Sequence, residues 1–257
     1  MGAELSVVVP MFNEARVLPA SIEQLRRRFA PTVTEILLVD DGSTDDSAGL
    51  AEHLSADCDH IEVIRLPKNL GKGAALRAGI ARTTAPMVLF MDADLSASLD
   101  DVDKFLAHLT STDIVIGSRS VPGAVVKRSN ALRTAMGRTF NRLMRLATGL
   151  SVHDSQCGFK AFRGDVARLL FLLSENDRFA FDPEVLRIAV ALGYSIQEVP
   201  VDWAAGDYSA IRPIRDSVRT AVDLVPIRMR TRHKRIEGLA GRCGLPVPAP
   251  IDSMTAK

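Results

Sequence analysis

The sequence predicts an α/β protein built on a mostly parallel, doubly wound sheet flanked by helices. Short apolar runs rich in β-branched residues recur through about the first 120 residues. They are continuous rather than alternating, as strands covered on both faces require. Stretches of helical composition separate them, which is the strand, helix, strand order of a parallel layer.

Taken in order, the expected strands cover residues 5–10, 35–39, 61–66, 86–91 and 113–117, with a later one over 195–201. Residues 71–83 and 100–109 have helical composition, and Ser21, Thr44, Ser98 or Asp100 are placed to cap helix starts. The second half is less regular. Residues 131–147 put Leu132, Met136, Phe140 and Leu143 on one helical face and Arg138, Arg142 and Arg145 on the other. A second apolar stripe runs through Ile211, Ile214, Val218, Val222, Val225 and Met229, in a stretch with eight Arg or Lys between 211 and 235, and Pro226 ends or kinks that helix. The expected organisation is a main domain over 1–204, with a half over 1–125 and another over 126–204, then an amphipathic basic segment over 205–237 and a loose Pro-rich tail over 238–257.

With 47% hydrophobic and 25% charged residues, the composition is that of a folded globular protein and excludes wholesale disorder. Cys58, Cys157 and Cys243 are odd in number and widely spaced, so neither a disulfide framework nor a structural zinc site is expected, and Cys157 reads as a small buried hydrophobe. The N-terminus lacks the charged and apolar regions of a signal peptide. No apolar stretch reaches the roughly 18 to 20 residues that span a bilayer. A reducing cytoplasm is the expected compartment. The formal net charge of +1 conceals a split: residues 1–125 carry 11 basic and 18 acidic side chains, net −7, and residues 126–257 carry 21 and 13, net +8. From Val125 to Leu150 no acidic residue occurs. The basic half therefore calls for an anionic partner. Nucleic acid is a poor candidate, because aromatic residues make up 5% of the chain and offer no stacking platform. None of the five His has triad or metal-ligand spacing, which gives hydrolase chemistry little support.

The polar residues that punctuate the strands carry the chemistry. Ligands of doubly wound sheets bind outside the carboxyl ends of the strands, and Pro10 to Glu14, Asp40 to Ser43 and Asp92 to Asp94 fall there. Asp92-Ala93-Asp94 sets two hard carboxylates at that edge, suited to Mg2+ or Mn2+ bridged to a diphosphate; a turn or capping pair is the alternative. Asp40-Asp41-Gly42-Ser43 either accepts hydrogen bonds from a base or ribose or is a turn leading into a helix. Leu70-Gly71-Lys72-Gly73 reads as a phosphate-cradling loop or as an ordinary helix start; it is neither a Walker A loop nor a dinucleotide fingerprint. Lys127, Arg128 and Arg133, following Gly117-Ser118-Arg119, gather positive charge suited to phosphate, with a solvated basic helix face as the alternative.

In their order and spacing, Val9-Pro10-Met11-Phe12-Asn13-Glu14, Asp40-Asp41-Gly42-Ser43-Thr44-Asp45, Asn69-Leu70-Gly71-Lys72-Gly73 and Asp92-Ala93-Asp94-Leu95 resemble the motifs of family 2 glycosyltransferases, whose fold is the Rossmann-like GT-A fold. Gly117-Ser118-Arg119, Asp154 to Lys160, Phe181-Asp182-Pro183-Glu184 and Glu198-Val199-Pro200-Val201 are similar to one branch, the polyprenyl-phosphate sugar synthases, with the dolichyl-phosphate glucosyltransferases nearest and the mannose synthases similar. The resemblance covers about residues 5–204.

It implies that Pro10, Asn13, Glu14, Asp40, Asp41, Gly71, Lys72, Asp92 and Ala93 bind the nucleotide sugar, with Asp92 and Asp94 holding Mg2+ or Mn2+. It implies further that Arg119, Lys127, Arg128, Arg133 and Gln156 bind the acceptor phosphate, with Asp94 and Arg119 as the catalytic pair. Ser96 stands where mannose synthases carry Gln, so a UDP-sugar such as UDP-glucose is the expected donor and GDP-mannose the alternative. The expected reaction inverts the anomeric centre and yields a β-linked polyprenyl-phosphate sugar. An anionic membrane surface, peripheral attachment at its cytoplasmic face and an integral-membrane partner complete the expectation. The rival reading is a transferase acting on a non-lipid hydroxyl, for which Asp182 or Glu184 would be the base.

Overall fold

A computed structural model describes residues 3–29, 34–127, 141–142, 144–204 and Thr231. The expected strands form: β1 (Leu5–Met11), β2 (Thr34–Asp40), β3 (Ile61–Arg65), β4 (Met87–Met91), β5 (Ile114–Ser118) and β8 (Ile196–Pro200). Strands β1 and β4 are covered by helices on both sides, which is why their runs are continuously apolar. Helices α1 (Leu18–Arg28), α2 (Ser47–Ser55), α3 (Lys72–Ile80) and α4 (Val102–His108) connect them.

One strand, β7 (Phe159–Arg163), departs from the parallel layer. The seven-stranded order is β3-β2-β1-β4-β7-β5-β8, parallel throughout except that β7 runs antiparallel to both β4 and β5. The chain winds one way from β1 through β2 to β3, then crosses back to place β4 on the other side of β1. That reversal is the topological switch point at which ligands of such sheets bind. Helices α5 (Gly164–Leu173) and α6 (Phe181–Ala191) follow β7, and a short parallel ribbon pairs β6 (Val125–Lys127) with β9 (Asp202–Ala204). Residues from both charge halves thus share one sheet.

The capping expectations hold at one position. Ser98 accepts from the Asp100 amide at 3.2 Å and opens the 3-10 turn Leu99–Asp101. Ser21 instead lies inside α1 and donates to the Val17 carbonyl, and α1 starts on Leu18-Pro19, whose fixed φ suits a first turn. Thr44 lies before α2, which begins at Ser47. Arg128, Arg133, Arg138, most of the face expected over 131–147, and the segments over 205–237 and 238–257, Thr231 excepted, lie outside the described residues. Of the residues named on that helix, Arg142 is exposed and Arg145 half-buried.

The core lies on the two faces of the sheet. Phe90, Phe162, Phe171 and Phe181 cluster on one face and Phe105 packs edge-on to Phe159 on the other, at 4.7 Å between centroids. Among these rings lies a charge. Lys160, 1% exposed, donates to Asp182 Oδ1 at 2.5 Å and to the Cys157 carbonyl at 2.6 Å, with its ammonium 5.2 Å from the Phe90 centroid. Removing one member leaves an uncompensated charge in the interior, whereas removing both leaves apolar volume. Lys160→Met is expected to lose about 3 to 5 kcal/mol in denaturant unfolding, and Lys160→Met with Asp182→Leu to recover most of that loss.

Candidate active site

Four strand ends build the site. After β1 the chain turns through Asn13, whose φ of +56° is left-handed, a conformation asparagine tolerates. The Asn13 amide donates to Ser43 Oγ at 2.9 Å, and its side-chain oxygen accepts from the Thr44 amide at 2.8 Å. The Glu14 amide donates to Ser47 Oγ at 2.7 Å. The first motif is therefore stapled to the loop after β2. Between these loops and the end of β3 lies a pocket of 460 Å³, lined by Phe12, Asp40, residues 42–44 and residues 65–69. Of the expected donor-site residues, Asp40 lines it directly.

The structure gives other residues of that set supporting positions. Pro10 is buried in β1, in register with Val39. Asp41 accepts from the Leu70 and Gly71 amides, each at 2.8 Å, and so ties the β2 loop to the start of α3. The Gly71-Lys72-Gly73 stretch opens α3, and its glycines admit the protein's own backbone. A Cβ on Gly71, where φ is +118°, would meet the Asp177 carbonyl at 2.3 Å, and one on Gly73 the Asn176 carbonyl at 2.4 Å. The first turn of α3 is already engaged, since the Ala74 amide donates to that Asp177 carbonyl at 3.1 Å.

After β4 come the paired carboxylates. The Asp92 amide donates to the Gly158 carbonyl at 3.1 Å, which continues the β4–β7 ladder, and a Cβ on Gly158 would fall 2.0 Å from Asp92 Oδ2. Ala93 is buried. Asp94 accepts from the Ser96 amide at 3.0 Å. Leu95 closes the turn at φ +48°, a strained conformation for a branched residue and one that collects at functional sites. Lys72, at the start of α3, forms an ion pair with Asp92 Oδ1 and lies 5.9 Å from the Phe181 centroid. Burial lowers the affinity of its ammonium for a proton, but Asp92 and Asp182 outweigh that and hold its pKa above the ordinary lysine value.

Negative charge remains in excess. Burial, joined by the charges of Asp94, Asp92 and Asp45, pushes the Glu14 carboxyl up to about 7, and burial and Asp92 raise Asp94. Sequence reading placed Glu14 with the donor but not against the paired aspartates. Among the described residues no three His, Cys, Asp or Glu side chains gather on one point as a complete metal cage. Two carboxylates and an excess of negative charge nevertheless suit Mg2+, which uses one or two carboxylates and completes its shell with substrate phosphates and water. Asp92 and Asp94 could hold such an ion.

After β5 comes Arg119. Its Nε and Nη2 donate to the two oxygens of fully buried Asp154 at 2.7 and 2.9 Å, and its backbone amide donates to Asp154 Oδ2 at 3.0 Å. Burial raises the Asp154 carboxyl, but Arg119 overrides it and holds the pKa below the ordinary range. Glu198 holds the Asp154 and His153 amides at 3.0 and 2.8 Å. The Arg119 guanidinium stacks on Trp203 at 4.8 Å from the ring centroid. Neither Asp154 nor Trp203 was assigned this role from sequence; the Asp in the Asp154 to Lys160 motif was the signal. Gln156 is half-buried at the same edge and Lys127 lies exposed on the β6–β9 ribbon. Cys157 is buried and its thiol is pushed up to about 12 by burial, the inert small hydrophobe that was expected. Asp182 and Glu184 are both committed: Asp182 to Lys160, and Glu184 to the Glu175 and Asn176 amides at 3.0 and 2.7 Å.

A pocket over the carboxyl ends of β1, β2 and β3, with paired aspartates after β4 across the switch point, fits a glycosyltransferase of the GT-A type. The chain belongs to glycosyl transferase family 2, whose family model matches residues 6–171. It is 34% identical to a dolichyl-phosphate beta-glucosyltransferase of Trichomonas vaginalis, over 88% of this chain and 71% of that one. It is 32% identical to the dolichyl-phosphate beta-glucosyltransferase of Saccharomyces cerevisiae, over 88% and 74%. In fold it is similar to glucosyl-3-phosphoglycerate synthase of Mycobacterium tuberculosis, solved with Mn2+, UDP and glucosyl-3-phosphoglycerate, at a TM-score of 0.63 and 21% identity over 95% of this chain and 81% of that one.

The Glu14 environment sets a pH dependence of stability. Its folded pKa of about 7 lies above its ordinary 4.5, so the folded state holds the proton more tightly. The stabilisation it confers is fully present below pH 4.5 and is lost as pH rises through 7. Glu14→Gln is expected to remove this slope, so that thermal melting from about pH 5 to about pH 8 falls less in the variant than in the parent.

Proposed function

We propose that this glycosyltransferase moves a hexose, with UDP-glucose the favoured donor, onto the phosphate of a polyprenyl lipid, inverting the anomeric centre to give a β-linked lipid-phosphate sugar. The observation that carries this reading is the 34% identity to a dolichyl-phosphate beta-glucosyltransferase over 88% of the chain. The pocket of 460 Å³ is the donor site in this reading, with Asp40 facing the nucleoside and Asn13 holding the two loops that form its wall.

Asp92 and Asp94 would hold a Mg2+ or Mn2+ ion on the donor diphosphate. When bound, that ion neutralises the charge that develops on the leaving nucleoside diphosphate. The residues of the chain do the rest. Lys72 lies beside Asp92, where an ammonium can reach the diphosphate. Arg119, set in plane by Asp154 and stacked on Trp203, keeps Nη1 outside the Asp154 pair as a donor for the acceptor phosphate. A lipid monophosphate, with a second pKa of about 6, is largely ionised at neutral pH and needs positioning more than a base. This agrees with the commitment of Asp182 and Glu184 to internal partners, which leaves the hydroxyl-acceptor rival without its candidate bases.

Lys127, Arg128, Arg133 and Gln156 would join Arg119 in binding the acceptor phosphate, and the amphipathic basic segment over 205–237 would attach the protein peripherally to an anionic cytoplasmic membrane face, where the lipid acceptor and an integral-membrane partner would reside. Among the described residues no helix is long and apolar enough to cross a membrane.

Incubation with UDP-glucose, Mg2+ and polyprenyl phosphate in anionic vesicles should yield a mild-acid-labile β-glucosyl lipid, and Asp94→Asn should cut kcat at least about 100-fold. Transfer to soluble phosphoglyceric acid without transfer to lipid phosphate would overturn the acceptor assignment. Preference for GDP-mannose would overturn the donor.

A further inference from the structure

The proposed cation site is partly neutralised by the protein itself. We propose that Lys72 is the internal counter-ion of Asp92 and competes with the divalent cation for it, so that cation and donor diphosphate bind as a coupled pair. The inference rests on the reading of Asp92 and Asp94 as cation ligands and adds a coupling between the two ligands of the site.

The whole Asp92 carboxylate lies against the chain just before β7: a Cβ on Gly158 would stand 2.0 Å from Oδ2 and 2.5 Å from Oδ1. Oδ1 holds the Lys72 ammonium. A cation drawn to Asp92 therefore meets an oxygen already paired to a positive charge. Among the described residues Lys72 has no second partner of equal worth: of the other carboxylates that act on it, Asp182 is bound to Lys160 at 2.5 Å in the core and Asp94 would itself hold the cation, and the Phe181 ring lies on its flank. Once displaced from Asp92, the ammonium needs another anion.

A nucleoside diphosphate supplies one. Lysine carries its charge on a flexible four-carbon stem with rotatable donors, so Lys72 can swing from a carboxylate to a phosphate oxygen without moving α3. The α3 start is fixed by the Asp177 carbonyl on Ala74 and by Asp41 on Gly71, so the swing is confined to the side chain. Cation alone must break the Lys72–Asp92 pair without replacing it; cation together with diphosphate replaces it. The two ligands therefore strengthen each other's binding, and equally in both directions. Between turnovers the same ammonium relieves the repulsion among Asp92, Asp94 and Glu14, which keeps the carboxylates in position.

Calorimetric titration of the full-length protein with Mn2+, alone and in the presence of UDP, tests this without turnover. In the parent protein UDP should tighten Mn2+ binding at least about tenfold. In Lys72→Met, Mn2+ alone should bind at least about tenfold more tightly than in the parent, and UDP should add less than about threefold. Lys72→Arg, which keeps the charge, should behave like the parent, and Lys72→Gln should repeat the Lys72→Met result if methionine disturbs folding. Parent-like or weaker Mn2+ binding in both uncharged variants, with UDP coupling intact, overturns the competition and leaves the cation site standing. Failure of the parent and of every variant to bind Mn2+ with or without UDP overturns the cation reading and this inference together.

Discussion

The register of β7 against β4 is the constraint on which the site depends. Phe159 opposite Met91, with the Asp92 amide on the Gly158 carbonyl, sets the start of an antiparallel strand beside the end of a parallel one. Had β7 run parallel, its carboxyl end would have stood at that edge, and Asp154 to Gly158 would have lain at the far edge of the sheet. Because it runs the other way, the residues before it join those after β1, β2, β4 and β5. Gly158 is then required for packing: the approach that places Asp92 leaves no room for a side chain opposite it.

Around that junction, charges alternate from the solvent edge inward. Asp94 and Glu14 stand in excess, Asp92 pairs with Lys72, and Asp182 pairs with Lys160 against the aromatic core. Buried ion pairs are weak sources of net stability because desolvation offsets their attraction. Their value here is positional. Lys160 anchors the first turn of α6, which carries Phe181 beneath Lys72, and Lys72 holds Asp92 against its like-charged neighbours. Among the described residues Glu14 and Asp94, both half-buried, are the carboxyls of this group without an ion pair.

Much of the parallel layer was legible because burial on both faces imposes a pattern that local sequence carries: β1, β2, β4 and β5 each hold an unbroken apolar run. β7 was not, because its sequence, Phe-Lys-Ala-Phe-Arg, carries a lysine at a fully buried position that only a distant aspartate makes tolerable. The motif ends were legible as chemistry but not as geometry. Asp40 and Asp41 are adjacent in sequence, yet Asp40 faces the pocket while Asp41 binds backbone amides thirty residues on. Gly71 and Gly73 carried a true signal of close backbone approach, and sequence could not say whose backbone approached. The Arg119–Asp154–Trp203 arrangement joins positions up to 84 residues apart, and no local pattern announces such a contact.

The near-zero net charge now has a structural meaning. A chain whose first half is net −7 and whose second is net +8 could have kept two fields apart in two bodies. Threading β7 and β8 into the same sheet as β1 to β5 instead brings the fields to one edge, with the carboxylates of Glu14, Asp92 and Asp94 after β1 and β4, and the guanidinium of Arg119 after β5. A diphosphate approaching the carboxylates alone would be repelled, and one approaching the arginine alone would have no reason to stop at the pocket. Opposite charges at one partly buried edge discriminate position as well as sign, because each is screened less than it would be in water. The fold therefore supplies what composition alone could not: one edge at which, in the proposed reading, one anion would be met through a cation and another through Arg119.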